Sequence, residues 1–159
     1  TLTFYANHRP LGLLVPAAYQ WPQPAPAFVT LKQRQDFAVH FLISAVIAAE
    51  AGTPLADAVG LWKELDDARS GGSGFSFNDL AADKAGVRLG RIAVHDPLEL
   101  QSRLSQAQSD TDLLPDVRDL PEFLTAAQLQ QRYGGIDAPA YRAVMQDVDR
   151  RIAQTPALR

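Results

Sequence analysis

Three polar side chains interrupt the most apolar stretch of this chain. Asp36, His40 and Ser44 recur every four residues within QDFAVHFLISAVIAAEA, a spacing that stacks them on one face of an α-helix with a drift of roughly 40° per step. An imidazole oriented by a carboxylate is a unit of general-base catalysis and also a metal ligand, which makes His40 the first candidate for chemistry. Phe37, Val39, Phe41, Leu42, Ile43, Val46 and Ile47 cover the rest of the helix, and a helix that is apolar nearly all round is a buried one. An unpaired polar group inside a protein costs about 1 to 3 kcal/mol. The three side chains must therefore find partners elsewhere in the chain.

Two later segments offer them. In GLWKELDDAR, Gly60, Glu64 and Asp67 share one helical face and Leu61, Leu65 and Ala68 another. This places Glu64 and Asp67 toward the first helix, with Gly60 permitting close approach. In SFNDLAADKAGVRLG, Asp79, Asp83, Gly86 and Gly90 repeat the spacing. If the stripes face one another, His40 sits among Asp36, Glu64, Asp79 and Asp83.

Three kinds of chemistry compete for such a cluster. It can be an internal fastening, with Lys63, Arg69 and Arg88 balancing the acids and His40 donating to a carboxylate. It can be catalytic, with His40 as general base oriented by Asp36 and with Glu64 or Asp83 as the acid. It can bind a metal through His40 and two or three carboxylates, although no Glu-x-x-His pair is present. Ser44 reads as a buried hydroxyl bonded to a helix carbonyl more readily than as a nucleophile. SGGSGFS follows a helix and lacks the Lys-Ser/Thr of a phosphate loop, so nucleotide binding is not expected. His8 and His95 read as surface or capping residues, and Trp21 and Trp62 as core or linker anchors. Nothing in the sequence specifies a cofactor.

The elements that position these residues give a mainly α expectation: a three-helix core with an N-terminal β-hairpin and a C-terminal helical extension in one domain. Residues 1–30 form the hairpin, from extended pieces Leu2 to Ala6 and Gly12 to Val15, and a linker in which Pro22, Pro24 and Pro26 forbid helix. Residues 31–94 are the core, with helices over Lys32 to Ala51, Pro54 to Arg69 and Ser76 to Val94, the last capped by Ser76 with Asp79 three residues on. Residues 95–159 add a helix from Asp96, a short one capped by Thr125 and Gln128 and ending at Tyr133, and a last one from Asp137. In that last helix Tyr141, Val144, Met145, Val148 and Ile152 form the apolar face.

Composition narrows the partners. With 159 residues, 47% of them apolar and 21% charged, the chain has the make-up of an ordinary globular protein. A net charge of −3 without a basic run argues against nucleic acid. The absence of cysteine removes disulfides and thiolate sites. The longest apolar run, about 13 residues, is shorter than the roughly 20 that a bilayer span requires. No signal peptide is visible, and the compartment and oligomeric state are left open by these features.

The succession DFAVHFLIS, then GLWKELDDARSGGSGFSFNDLAADKAGVRLG, resembles a pattern shared by VanZ-like proteins and a YfiM-like group of small envelope lipoproteins of Gram-negative bacteria. Asp36, His40, Gly60, Lys63, Glu64, Asp67, Ser76, Asp79, Asp83, Gly86 and Gly90 stand at the matching positions. The chain departs from the outline at Ala38, where a lysine is expected early in the motif. It also carries Asp67 and Asp83 where VanZ-like proteins have glutamine and asparagine, and its helix is too short for their membrane span, so the envelope branch is the nearer likeness. The resemblance covers residues 36–90. It implies a periplasmic or outer-membrane-associated protein with a role at the cell wall or outer membrane and an envelope component or another protein as partner, with no established chemistry. The first functional expectation is that the polar cluster (His40, Glu64, Asp79, Asp83 and Asp36) binds or hydrolyses a wall- or lipid-derived ligand. The alternative is a non-enzymatic structural or binding module in which the cluster only fixes helix packing.

Overall fold

The computed structural model describes residues 2–22, 25 and 27–159. Pro24 and Pro26 of the expected linker lie outside the described residues. The order of α-helices is α1 (Leu2–Ala6), α2 (Gln35–Ala51), α3 (Thr53–Asp67), α4 (Phe77–His95), α5 (Pro97–Gln106), α6 (Ala126–Tyr133) and α7 (Pro139–Gln154), with short 3-10 turns at Leu11–Leu13, Pro16–Gln20 and Asp110–Asp112. No helix among the described residues is long and apolar enough to cross a membrane.

The expected N-terminal β-hairpin is absent. Among the described residues no strand forms; there are only two isolated bridges, Leu31 with Arg34 and Phe75 with Leu124. Leu2–Ala6 is helical, and the second expected strand is taken up by the 3-10 turn Leu11–Leu13. A five-residue piece is too short for its alternation to separate strand from helix, and an isolated two-stranded hairpin is at best marginally stable in water. As a helix, α1 buries Ala6 and reaches α2, where the Thr3 hydroxyl donates to the Leu42 carbonyl at 3.5 Å.

Helix α2 begins three residues later than the periodicity suggests. Leu31 and Arg34 exchange two backbone hydrogen bonds, of 2.9 and 3.1 Å, around Lys32 and Gln33, whose φ angles are 55° and 63°. Two left-handed residues between paired positions make a tight hairpin turn that glycine or asparagine would favour. The Lys32 amide donating to Asp110 Oδ2 at 2.6 Å holds it in place. Because Gln33 is exposed, Gln33→Gly is expected to raise stability by about 0.5 kcal/mol, the relief of left-handed strain exceeding glycine's added unfolded-state entropy. A urea melt showing a loss of that size would contradict the strain argument.

α2 and α4 lie against each other through glycine. A Cβ on Gly86 would come 2.1 Å from the Phe41 carbonyl oxygen, and one on Gly90 would come 2.2 Å from that of Ala45. Their four-residue spacing thus lets the backbones touch over one helical turn. α3 closes the third side with a buried line of Ala56, Gly60 and Glu64. Gly60 makes its close approach to α4, not to α2 as the sequence suggested: a Cβ there would meet Asp83 Oδ2 at 2.7 Å.

Residues 95–159 are more closely integrated than an extension. One buried cluster runs from Leu31, Phe37 and Phe41 through Phe75, Phe77 and Leu80 to Leu114, Leu124, Tyr141, Val148 and Leu158. Leu124 and Phe75 bond each other's backbones at 2.7 and 2.9 Å. Asn78, in the amide orientation that satisfies it, donates to the carbonyls of Val117 and Leu120. α6 has the expected Thr125 and Gln128 capping box, and α7 starts at Pro139, two residues after Asp137.

Candidate functional site

Ser76 begins the assembly of the site. Its hydroxyl accepts from the Asp79 amide at 3.1 Å, capping α4 as the sequence indicates. Its own amide donates to Glu64 Oε2 at 2.8 Å. One residue therefore sets the start of α4 and anchors the carboxylate that arrives from α3. Glu64 is fully buried, next to an aromatic group in which Phe77 meets Phe75 at 5.1 Å and Tyr141 at 5.6 Å between ring centroids.

His40 arrives from α2. Its Nδ1 lies 3.2 Å from both oxygens of Asp83, and Asp83 Oδ1 also accepts from the Ser44 hydroxyl at 2.7 Å. A carboxylate can only accept, so Nδ1 carries the proton, and when the ring is neutral its lone pair is at Nε2. That nitrogen lies 4.0 Å from Asp79 Oδ2. One ligand-type atom each from His40, Glu64 and Asp79 falls within 4.8 Å of the others. Glu64 Oε1 and Asp79 Oδ1 are buried and accept no hydrogen bond among the described residues. Arg34 Nη2 is 3.9 Å from the latter, too far for one.

Asp36 is not part of this group. Arg34 Nε donates to Asp36 Oδ1 at 3.1 Å and Nη2 to Oδ2 at 2.5 Å, while Nη1 reaches Glu122 Oε2 at 2.7 Å and the guanidinium carbon lies 4.0 Å over the Phe37 ring. The carboxylate that orients His40 is thus Asp83, not Asp36. Asp83, occupied by His40 and Ser44, is not placed to serve as the acid. Ser44 has neither of the roles read from the sequence: its hydroxyl donates to Asp83.

The proposed balancing cations are elsewhere. Lys63 pairs with Asp67, its charge still acting on Glu64, Arg69 pairs with Asp66, and Arg88 Nε donates to the Leu158 carbonyl at 2.7 Å. Trp62 is 64% exposed and Trp21 52% exposed, so neither is a core anchor. His8 sits in a turn, with Nε2 2.9 Å from Gln35 Nε2, and His95 is in the last turn of α4. Arg34, Glu122 and the Ser76 amide are the site-shaping groups that the sequence reading missed.

Three carboxylates around one imidazole, in a largely closed space, unbalance the protonation of the group. Burial pushes Glu64 up to about 7, its bond from Ser76 opposing only part of this and the charge of Asp79 adding to it. Asp79 is raised too, chiefly by burial, with His40 opposing. For His40, burial pulls the pKa down, but the hydrogen bond to Asp83 and the charges of Asp83, Asp79 and Glu64 outweigh it and raise it. Tyr141 is pushed up to about 12 by burial and by the nearby Glu64 charge. Outside the ring, burial raises Asp36, but Arg34 overcomes that and holds it below the ordinary carboxylate value.

His40 and Asp79 keep 13% and 14% of their side-chain surface open, so the group reaches solvent on that side. A cleft of about 730 Å³ lies alongside, lined by Arg34, Phe37, Asn78, Asp110, Arg118 and Glu122 among others. Arg34 is the group common to this cleft and to the edge of the cluster.

Comparison with family models, with curated proteins and with solved structures gives no match for this chain.

Proposed function

We propose that this chain is a cell-envelope protein whose His40 centre binds and hydrolyses a wall- or lipid-derived ligand. One observation carries the reading: Asp83 holds His40 so that Nε2 faces Glu64 and Asp79, where two buried carboxylate oxygens have bonding capacity left over. A fastening would spend that capacity internally, because each unmet buried acceptor costs about 1 to 3 kcal/mol. In hydrolysis of an ester, Nε2 takes a proton from the attacking water as its oxygen bonds to the carbonyl carbon. The departing alkoxide receives a proton from Glu64, which burial keeps partly protonated near neutral pH. The envelope assignment is supported by the resemblance of residues 36–90.

The test uses three probes: short-chain chromogenic esters, phosphatidylglycerol vesicles and a muropeptide digest. The expected result is turnover of one of them, falling at least 100-fold in His40→Asn while the melting temperature stays within a few degrees of wild type. Absence of turnover on all three, together with a large fall in melting temperature for His40→Asn, would overturn the reading in favour of a structural fastening.

Positioning by Asp83 is separately measurable. In Asp83→Asn, the amide can donate as well as accept, so the His40 proton is expected to redistribute between Nδ1 and Nε2. Nitrogen-15 NMR of the imidazole reads this directly. An unchanged tautomer would show that Asp83 does not orient the ring.

A further inference from the structure

We infer that His40, Glu64 and Asp79 form a site for one divalent transition-metal cation, with Asp83 as the carboxylate that fixes the imidazole ligand. This rests on reading the His40 centre as a site and not as a fastening, and it specifies what the centre holds: with the cation bound, Nε2 and Glu64 are ligands in place of the base and acid roles given above.

Four observations converge. The donor atoms come from three helices and meet within 4.8 Å. A cation bonded at roughly 2.0 to 2.2 Å keeps two ligands no more than about 4.4 Å apart. Three ligands around one such cation stand roughly 3.3 to 3.8 Å apart, so the 4.0 Å from His40 Nε2 to Asp79 Oδ2 is close to bonding span, and the set as a whole closes with side-chain shifts of up to about 1 Å.

Second, Glu64 is completely buried, and while its Oε2 is taken by the Ser76 amide, its Oε1 has no partner among the described residues. A fully desolvated carboxylate oxygen calls for a proton or a cation. Third, the neighbouring cationic side chains make their hydrogen bonds elsewhere, Arg34 with Asp36 and Glu122 and Lys63 with Asp67, and Arg34 approaches Asp79 only to 3.9 Å. A divalent ion would balance Glu64 and Asp79 together.

Fourth, the surroundings of His40 match those of a metal-bound histidine, whose second ring nitrogen donates to a carboxylate that holds the ring's orientation. Here Nδ1 faces Asp83, itself held by Ser44, and Nε2 faces the carboxylates. One imidazole nitrogen with carboxylate oxygens and no thiolate suits Zn²⁺ or Mn²⁺ better than Ca²⁺ or Cu⁺. Three protein ligands leave a coordination position for water or ligand, on the side where His40 and Asp79 reach solvent.

The experiment is calorimetric titration of the chelator-treated 159-residue chain with Zn²⁺ and with Mn²⁺, alongside melting temperatures. Wild type is expected to bind one equivalent of Zn²⁺ and gain several degrees in melting temperature. Glu64→Gln and Asp79→Asn should lose the binding, and Asp83→Asn should weaken it about 10- to 100-fold. His8→Ala/His95→Ala, which changes the other two histidines, should leave it unchanged. Failure of wild type to bind either ion, or binding that survives both Glu64→Gln and Asp79→Asn, would overturn the proposal. So would binding lost in the His8/His95 variant. Turnover that persists in chelator-treated protein but is lost in His40→Asn would overturn the cation while leaving the hydrolytic reading intact. One-to-one binding without turnover of any probe would uphold the cation and overturn hydrolysis.

Discussion

Gly86→Ala is expected to destabilise this protein by about 3 kcal/mol or more, lowering its melting temperature by roughly 10 °C. Alanine is the better helix former by about 1 kcal/mol, so on propensity alone the change would be favourable. Packing decides the sign. The new methyl would lie 2.1 Å from the Phe41 carbonyl oxygen and 2.8 Å from its carbon. Both are backbone atoms that no rotamer change moves aside, so α2 and α4 must separate. Gly90, 2.2 Å from the Ala45 oxygen by the same construction, makes the double substitution worse. Separation would also stretch the 3.2 Å contact between His40 and Asp83, which spans the same two helices. Denaturant melts followed by circular dichroism check the first point and the nitrogen-15 signal of His40 the second. A variant within 1 kcal/mol of wild type would show that the helices are not in backbone contact.

Glu64→Gln should do the opposite above neutral pH. Burial raises the Glu64 pKa from 4.5 to about 7 in the fold, so the folded state holds this proton more tightly than the unfolded state does. The sign follows from linkage. Below about pH 4.5 both states are protonated and there is no penalty. Between about 4.5 and 7 the unfolded state ionises freely while the folded state resists, and stability falls. Above about 7 the full loss of about 3 kcal/mol is reached. The raised pKa of His40 acts in the same direction, its contribution being present below 6.5 and lost as pH rises through the raised value. Metal-free wild type should therefore be more stable at pH 5 than at pH 8. Glutamine can still accept from the Ser76 amide and carries no charge to bury, so the variant should match wild type near pH 4.5 and exceed it at pH 8. Urea melts at the two pH values test this, and equal pH slopes for both proteins would refute it.

The features legible in the sequence were those governed by arithmetic within one helix. The stripe Asp79, Asp83, Gly86, Gly90 emerges from a 3.6-residue period, and Asp83, Gly86 and Gly90 do face α2 and α3. Ser76 as a cap and the Thr125–Gln128 box follow from local hydrogen-bonding rules and are present. Asp36 was misplaced for a specific reason. A helix begun at Lys32 sets residues 34 and 36 on different faces, whereas the turn at Lys32 and Gln33 takes Arg34 out of the helix and folds it back on Asp36. The role of Glu122 depends on a partner 88 residues away. That of the Ser76 amide rests on a backbone donor that every residue but proline possesses. Neither leaves a mark in residue type. At the N-terminus, Leu2–Ala6 is short enough that contact with α2 decides its form, and no local pattern reports that contact.

The chain from Asp110 to Leu124 works as a splint. It grips Lys32 through Asp110, Arg34 through Glu122 and Phe75 through Leu124. The first two grips lie just ahead of α2, which carries His40, and the third lies next to the residue that anchors Glu64. Two walls of the cluster are thus clamped by one segment that packs into the core through Leu114 and Leu124 yet contributes no side chain to the cluster. Force or deformation applied to that segment would reach both walls at once.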